Sequence, residues 1–264
     1  MKKMGIIIPA IVITAMVSGC IPKPSINLPA PQINLNVPAP NVNVNANAPG
    51  TAPAQQPAIA PGMGTQAAVQ LFPYVFFYAF TLNGYWVWTS NFKPGQWTKF
   101  RIMHPEEENV SVEEIERAFL KKLSDGKEWW RVSYFSGNDT LIYEALISPD
   151  RAELLRLRVK VPGSEPGDVP VTKGMGYMQP VELTKESIEG ATIGVETVKV
   201  PAGTFSAKHV KYVSPGSGTI HWWYVDNVPG GVVKYEIKDT DGTTIIEGDL
   251  EAYGSGATTI LGSF

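Results

Sequence analysis

The sequence predicts a β-dominated α+β fold, in which a curved, mostly antiparallel, half-barrel-like sheet carries about two helices and follows a disordered tether. Three observations predict it. Short runs of strand-like composition alternate with Gly, Pro, Asn and Asp turn signals through the second half of the chain. One run before them has a helical pattern, and a long stretch rich in Pro, Asn and Ala comes earlier still.

Composition limits the kinds of protein that this chain can be. The 264 residues carry a formal net charge of −3, and 44% of them are hydrophobic, which suits one principal globular domain, placed at residues 67–264. No run of Lys or Arg follows residue 3, so nucleic acid is not expected as a partner. Cys20 is the only cysteine, which excludes an internal disulfide framework and zinc sites built from several thiolates.

Residues 1–19 have the layout of an export signal peptide. Lys2 and Lys3 form a positive start, and residues 5–16 form an uncharged apolar run that is short for a permanent membrane span. The next residues, Val-Ser-Gly-Cys at positions 17–20, resemble the lipobox of bacterial lipoproteins. The resemblance implies cleavage before Cys20 and lipid on its thiol.

Lipid on Cys20 would anchor the chain in a membrane, because two or more acyl chains make anchoring stable. An ordinary signal peptide with an incidental cysteine is the alternative. Ile21 follows the cysteine, whereas lipoproteins kept in the inner membrane commonly have aspartate there. The resemblance therefore implies the cell envelope as the location, with the chain anchored in the outer membrane and facing the periplasm.

Residues 20–66 are expected to form a disordered tether. They are rich in Pro, Asn and Ala, and Lys23 is their only charged residue. Such a composition cannot bury enough apolar surface to offset the entropy lost on ordering. Asn and Val alternate strictly at residues 41–45, but the prolines around them interrupt any strand ladder.

Residues 71–88 form the most apolar segment after the signal peptide. We expect a first helix followed by a strand, which supply core to the sheet or cover its open side. A second transmembrane span is the alternative. Pro73, Asn83 and Gly84 interrupt the segment and disfavour it.

Residues 111–123 have the clearest helical pattern in the chain. Ser111 and Glu114 match an S-x-x-E capping box, and the turn signal of residues 124–126 follows. Four apolar residues fall on one helical stripe, namely Val112, Ile115, Phe119 and Leu123.

Two antiparallel meanders are predicted after this helix, with about nine strands in all. The loop of residues 162–180 separates them and contains one short strand. An Asp-Gly hairpin signal at residues 241–242 precedes the last strand. The remaining strands are expected at residues 128–135, 141–148, 153–161, 192–200, 204–213, 219–226, 232–238 and 243–253.

The second meander resembles a pattern found in bacterial envelope proteins that are loosely similar to the LolA/LolB half-barrel group. The similarity covers mainly residues 186–253 and is carried by VPAGTF at 200–205, WYV at 223–225 and VPGGVVKY at 228–235. These motifs are turn and strand punctuation and contain no catalytic residues. The resemblance therefore implies a fold more than an activity.

Catalytic and metal-binding signatures are few. The sequence contains no G-x-S-x-G, H-E-x-x-H, phosphate-loop or dinucleotide-binding pattern, so no cofactor is expected. His104, His209 and His221 are its three histidines. If the loop between the strands that carry His209 and His221 has two or four residues, these two histidines lie on opposite faces of the sheet. If the loop has three residues, they are neighbours on one face. We expect structural or surface histidines and no metal site.

Two tryptophan pairs give the most useful indication of a site. Trp129-Trp130 and Trp222-Trp223 lie in predicted strands, where neighbouring side chains point to opposite faces. Indoles on both faces require either a sheet covered on both sides or an apolar groove on one of them. A packed core and a sugar-stacking platform are alternatives to a groove. All four tryptophans are candidates for binding an acyl chain or another hydrophobic ligand.

Together these patterns indicate a non-enzymatic, lipid-anchored envelope protein. Its expected partners are the membrane, through lipid on Cys20, and a hydrophobic small molecule or an envelope protein. A structural or protein-interaction lipoprotein and an envelope hydrolase are the alternatives. An acid beside a histidine would favour the hydrolase.

Replacing Cys20 with serine should release the protein from membranes, because the hydroxyl does not accept the lipid that the thiol carries. The measurement is the fraction of protein that sediments with membranes, together with the mass of the mature chain. An unmodified Cys20 in the mature wild-type protein would contradict the lipoprotein interpretation.

Overall fold

A computed structural model describes residues 64–77, 79–80, 92–105, 112–172, 177, 185–214 and 218–264. It contains helices α1 (Thr65–Phe77) and α2 (Lys185–Gly190). Its strands are β1 (Trp97–Met103), β2 (Val112–Lys122), β3 (Glu128–Ser136), β4 (Asp139–Ile147), β5 (Leu154–Lys160), β6 (Gly167–Val169), β7 (Thr192–Val200), β8 (Gly203–Ser214), β9 (Gly218–Tyr224), β10 (Val232–Lys238) and β11 (Thr244–Gly254).

All eleven strands form one sheet, in the order β6-β5-β4-β3-β2-β1-β11-β10-β9-β8-β7. Every neighbouring pair is antiparallel. The pairing of β1 with β11 joins the two meanders, and the sheet does not close, because β6 and β7 lie at its two ends. The predicted β-dominated class with an open, curved antiparallel sheet is confirmed.

One face of the sheet, which we call the inner face, is covered by α1. The ring of Phe72 lies 5.3 Å from that of Tyr143, and the Tyr143 hydroxyl donates a hydrogen bond to the Ala68 carbonyl at 2.6 Å. Phe80, just beyond the helix, packs edge-on against Trp130 at 5.3 Å. These contacts place the aromatic core between α1 and β3–β4. The other face we call the outer face.

The prediction of a helix at residues 111–123 is wrong, because this segment forms strand β2. On β2 the inward positions are Glu113, Ile115, Arg117 and Phe119, all of them buried. The Tyr134 hydroxyl donates to Glu113, and Arg117 is fully buried. Two buried charged residues hide the period-2 pattern of a strand and leave the apolar residues at a helical spacing.

Arg117 shows how the inner face accommodates a charge. Its Nε donates to the Thr98 hydroxyl and its Nη1 to the Ala79 carbonyl, both at 3.3 Å. The guanidinium also lies over the rings of Phe80 and Phe92, at 5.9 and 5.0 Å. Burial lowers its pKa to about 9, which leaves it protonated at neutral pH.

The other elements agree with the sequence to different extents. The predicted first helix exists but begins earlier, at Thr65, and the strand expected after it, like the signal peptide and almost all of the tether, lies outside the described residues. Nine of the eleven strands match predicted ones, including the short β6 within the loop. β1 was not predicted. In the described part of the chain, no helix is long and apolar enough to cross a membrane.

Candidate functional site

The four tryptophans alternate between the faces of the sheet as predicted. Trp130 lies opposite Phe119 and stacks on it at 4.6 Å on the inner face, whereas Trp129 packs with Ala118 and Leu120 in a separate cluster on the outer face. In β9, Trp222 lies opposite Tyr235, on the inner face.

All four indoles are buried, which agrees with the packed-core alternative rather than with an open groove. Trp129, Trp130, Trp222 and Trp223 expose 3%, 1%, 3% and 7% of their surface. Rings fill the space around Trp130, from Phe80, Phe92 and Phe119 at 4.6 to 5.3 Å. In this conformation the indoles act as packing.

Trp223 has three polar neighbours on the outer face. Its indole Nε1 donates to Glu196 Oε2 at 3.0 Å, and its ring stacks on that of His209 at 4.5 Å. The ammonium group of Lys234 lies 5.5 Å from the indole, on the neighbouring strand β10. On the outer face, Trp223 thus contacts the carboxylate of Glu196, the imidazole of His209 and the ammonium group of Lys234.

His209 and His221 are neighbours on this face, so the three-residue-loop alternative is the one observed. Ser214 pairs with Gly218, which leaves three residues between the paired ends of β8 and β9. That register sets His209 opposite Trp223 and His221 opposite Lys211, on one face of the sheet. Residues 215–217, which make the connection, lie outside the described part.

Four side chains form a continuous hydrogen-bonded chain that we call the histidine relay. His209 Nδ1 lies 2.7 Å from Glu196 Oε1, and His209 Nε2 lies 2.8 Å from His221 Nδ1. His221 Nε2 lies 3.1 Å from the Thr219 hydroxyl. With both imidazoles neutral, one assignment satisfies every contact: Thr219 donates to His221, His221 to His209, and His209 to the carboxylate.

The environment lowers the pKa values of two members of the relay. The hydrogen bond from the Trp223 indole, and then that from His209, lower the pKa of Glu196. Burial, followed by the nearby charge of His209, lowers the pKa of His221 to about 4. The relay therefore holds an anionic carboxylate at one end and a neutral imidazole next to a hydroxyl at the other.

Chemically, the relay can move a proton between Thr219 and His209 by shifting each shared hydrogen one step. Its acid beside a histidine is the feature that would favour a hydrolase. The described residues contain no group of three His, Cys, Asp or Glu side chains placed to hold a metal ion. Glu196 and Thr219 were not predicted, because their contacts depend on the pairing of β7, β8 and β9.

Two other residues were singled out in the sequence. Cys20 lies outside the described residues. His104 is buried, with 8% of its surface exposed, just after β1. It is distant along the sheet from β8 and β9.

Comparison with known proteins finds remote similarity only. No family model matches the chain, and no curated protein matches it. A Bacteroides fragilis protein classed as exported, with a YmcC-like fold, is 13% identical over 62% of this chain and 97% of that one, with a TM-score of 0.34.

Two further structures are similar at this level. A Parabacteroides distasonis protein classed as a lipoprotein is 16% identical over 65% of this chain and 99% of its own, with a TM-score of 0.34. The MucA/MucB complex of Pseudomonas aeruginosa is 10% identical over 73% of this chain and 58% of the matched one, with a TM-score of 0.41. Similarity this remote transfers no function to the chain.

The protein should lose stability as the pH falls from about 6.5 towards 4. The pKa of His221 is about 4 in the fold and about 6.5 in an unfolded chain, so in this window the unfolded chain binds more protons than the folded one. After allowance for solvent screening, the loss should be at most about 2 kcal/mol. Urea unfolding at several pH values measures it. His221→Asn should flatten the dependence, and an unchanged slope in that variant would contradict the assignment.

Proposed function

We propose that this chain is a lipid-anchored protein of the bacterial cell envelope that binds another envelope protein. The lipobox at residues 17–20 supports the anchor, through lipid on Cys20, and its following residue supports the outer membrane. The tether of residues 20–66 would let the domain work at a distance from that membrane. Burial of all four indoles supports binding at the surface of the sheet rather than inside it.

The observation that carries this proposal is the edge strand β7. It is the last strand of the sheet, and along residues 193–197 no described strand pairs with its outward side. Ile193 and Val195 expose 56% and 66% of their surface there. Edge strands are usually short, charged or covered. The other edge strand, β6, is short and has three residues. An open edge with exposed β-branched residues suits the addition of a strand from an extended peptide.

The histidine relay supports the same edge. Glu196 follows the exposed Val195 on β7 and reaches across β8 to Trp223 of β9. This contact and the hydrogen bond to His209 fasten β7 to the sheet. A fastened edge pays less entropy when a partner strand binds, because it is already ordered.

A hydrophobic ligand, such as an acyl chain or lipid, is the second candidate. It is favoured by α1, which has no charged residue and buries Leu71, Phe72, Val75 and Phe76 against the inner face. Departure of this helix would uncover an apolar surface. Only Trp130 and Trp222, on the inner face, would then contact the ligand.

A photo-crosslinking residue at position 193 should give one discrete protein adduct in intact cells, because the partner strand would lie against β7. The same residue at Leu155, which is 37% exposed on β5, is the matched control and should give none. Adding Val195→Lys should remove the adduct at 193, since a charge opposes pairing. Equal adducts at both positions, or none at 193, would contradict the proposal.

Fatty acid or phospholipid added to the purified protein should leave tryptophan fluorescence unchanged if the edge is the binding site. A blue shift that disappears in Trp130→Phe, and persists in Trp129→Phe, would favour the second candidate instead. Those two substitutions change neighbouring indoles on opposite faces, so they separate binding at the inner face from a general effect on the sheet.

A further inference from the structure

A row of alternating charges crosses the outer face on the strands farthest from β7. Arg131 of β3, Glu144 of β4, Arg158 of β5 and Asp168 of β6 each lie directly opposite the next. We call these four residues the charged row. Glu116 of β2 extends it, through an ion pair of 2.8 Å with Arg131.

The segment of residues 257–264 lies across this row and satisfies its buried carboxylate. Glu144 has no exposed surface, so its charge requires several donors. It accepts the hydroxyls of Thr259 and Ser263 and the backbone amides of Ile260 and Leu261. All four donors belong to the 257–264 segment.

The arginines of the row bind the same segment through its carbonyl groups. Nη1 of Arg131 donates to the Thr258 oxygen and Nη1 of Arg158 donates to the Gly262 oxygen, both at 2.6 Å. Glu144 thus accepts hydrogen bonds from backbone amides of the segment, and Arg131 and Arg158 donate hydrogen bonds to its carbonyl groups. The row binds a turn of main chain, in which the Ser263 amide donates to the Thr259 hydroxyl and both hydroxyl side chains donate to Glu144.

The apolar contacts of the 257–264 segment are made by Ala257, Leu261 and Phe264, whose ring lies 5.9 Å from that of Trp129. Leu261 is buried, but Ile260 and Phe264 expose 54% and 48% of their surface. Ala257 packs at the margin of the outer cluster around Trp129. The hydrogen bonds add a modest net contribution to these contacts, because water replaces them on release.

The connection to β11 is suited to redirecting the segment. β11 ends at Gly254, and Gly256 has a φ of +90°, in the left-handed region that favours glycine. The linking residues are small and polar, and Ser255 and Gly256 are exposed. A change of backbone angles at Gly256 would send the segment away from its own sheet without strain.

We propose that the charged row is a peptide-binding site whose second occupant is the 257–264 segment of another copy of this chain. Exchange between copies preserves every hydrogen bond to Glu144, Arg131 and Arg158. It therefore adds little free-energy cost beyond that of association, as in other cases of domain swapping. Anchoring in one membrane raises the local concentration of copies, a step that rests on the proposed lipid anchor. The site is separate from β7.

Deleting Ser255 and Gly256 tests the exchange in the full, detergent-extracted chain. The shortened connection prevents the segment from reaching its own row, so the variant should form a dimer while the wild type is largely monomeric at low concentration. Sedimentation measures the mass. Adding Glu144→Gln, or an excess of a synthetic peptide with the sequence of residues 257–264, should return the dimer to monomer.

Peptide binding to the full chain provides the second measurement, which does not depend on folding of the deletion variant. The labelled peptide of residues 257–264 should bind about tenfold more tightly to a Thr259→Ala/Ser263→Ala chain than to wild type, because that chain's own segment competes less well. Glu144→Gln should weaken it. A peptide lacking both hydroxyls is the matched control.

The proposal is overturned by either of two results. One is a deletion variant that folds as a monomer, or a dimer that neither Glu144→Gln nor the peptide dissociates. The other is a peptide that fails to bind, or binds all chains and both peptide forms equally. In those cases the segment is a fixed part of the domain.

Discussion

Side chains alternate between the faces of a β-strand, so strands with two neighbouring tryptophans can be buried only in a sheet that is covered on both sides. The rest of this structure depends on that requirement. Helix α1 and the segment containing Phe80 cover the inner face over Trp130. On the outer face, Trp129 lies in a cluster that includes Ala257, and Trp223 lies beneath His209 and Lys234.

The same alternation explains how far the fold could be predicted. Strands with apolar residues on one or both faces, such as β3 and β10, were found with nearly correct bounds. β2 was mistaken for a helix because Glu113 and Arg117 occupy inward positions that usually hold apolar residues. Their burial is stabilised by Tyr134, Thr98 and the backbone of Ala79. Such partners come from distant parts of the chain, and no local pattern contains them.

The candidate site, too, could be predicted only in part from the sequence. Alternation within β9 was enough to place Trp222 and Trp223 on opposite faces. Whether His209 and His221 meet depends on the length of a loop, and the sequence left that choice open. Glu196 joins them only because β7 folds onto β8. Contacts within a strand are thus predictable from spacing, whereas a relay across three strands requires the register of each pair.

The inner face is covered by α1 and part of the outer face by the 257–264 segment, and different interactions hold these two covers in place. Losing α1 would expose Phe72 and Phe76, at a cost that grows with the apolar area uncovered. The 257–264 segment is held through Glu144 by hydrogen bonds, and an identical segment, or water in part, can replace them. Both proposed sites lie at the outer face and the open edge of the sheet, so binding there would leave the apolar core of the inner face intact.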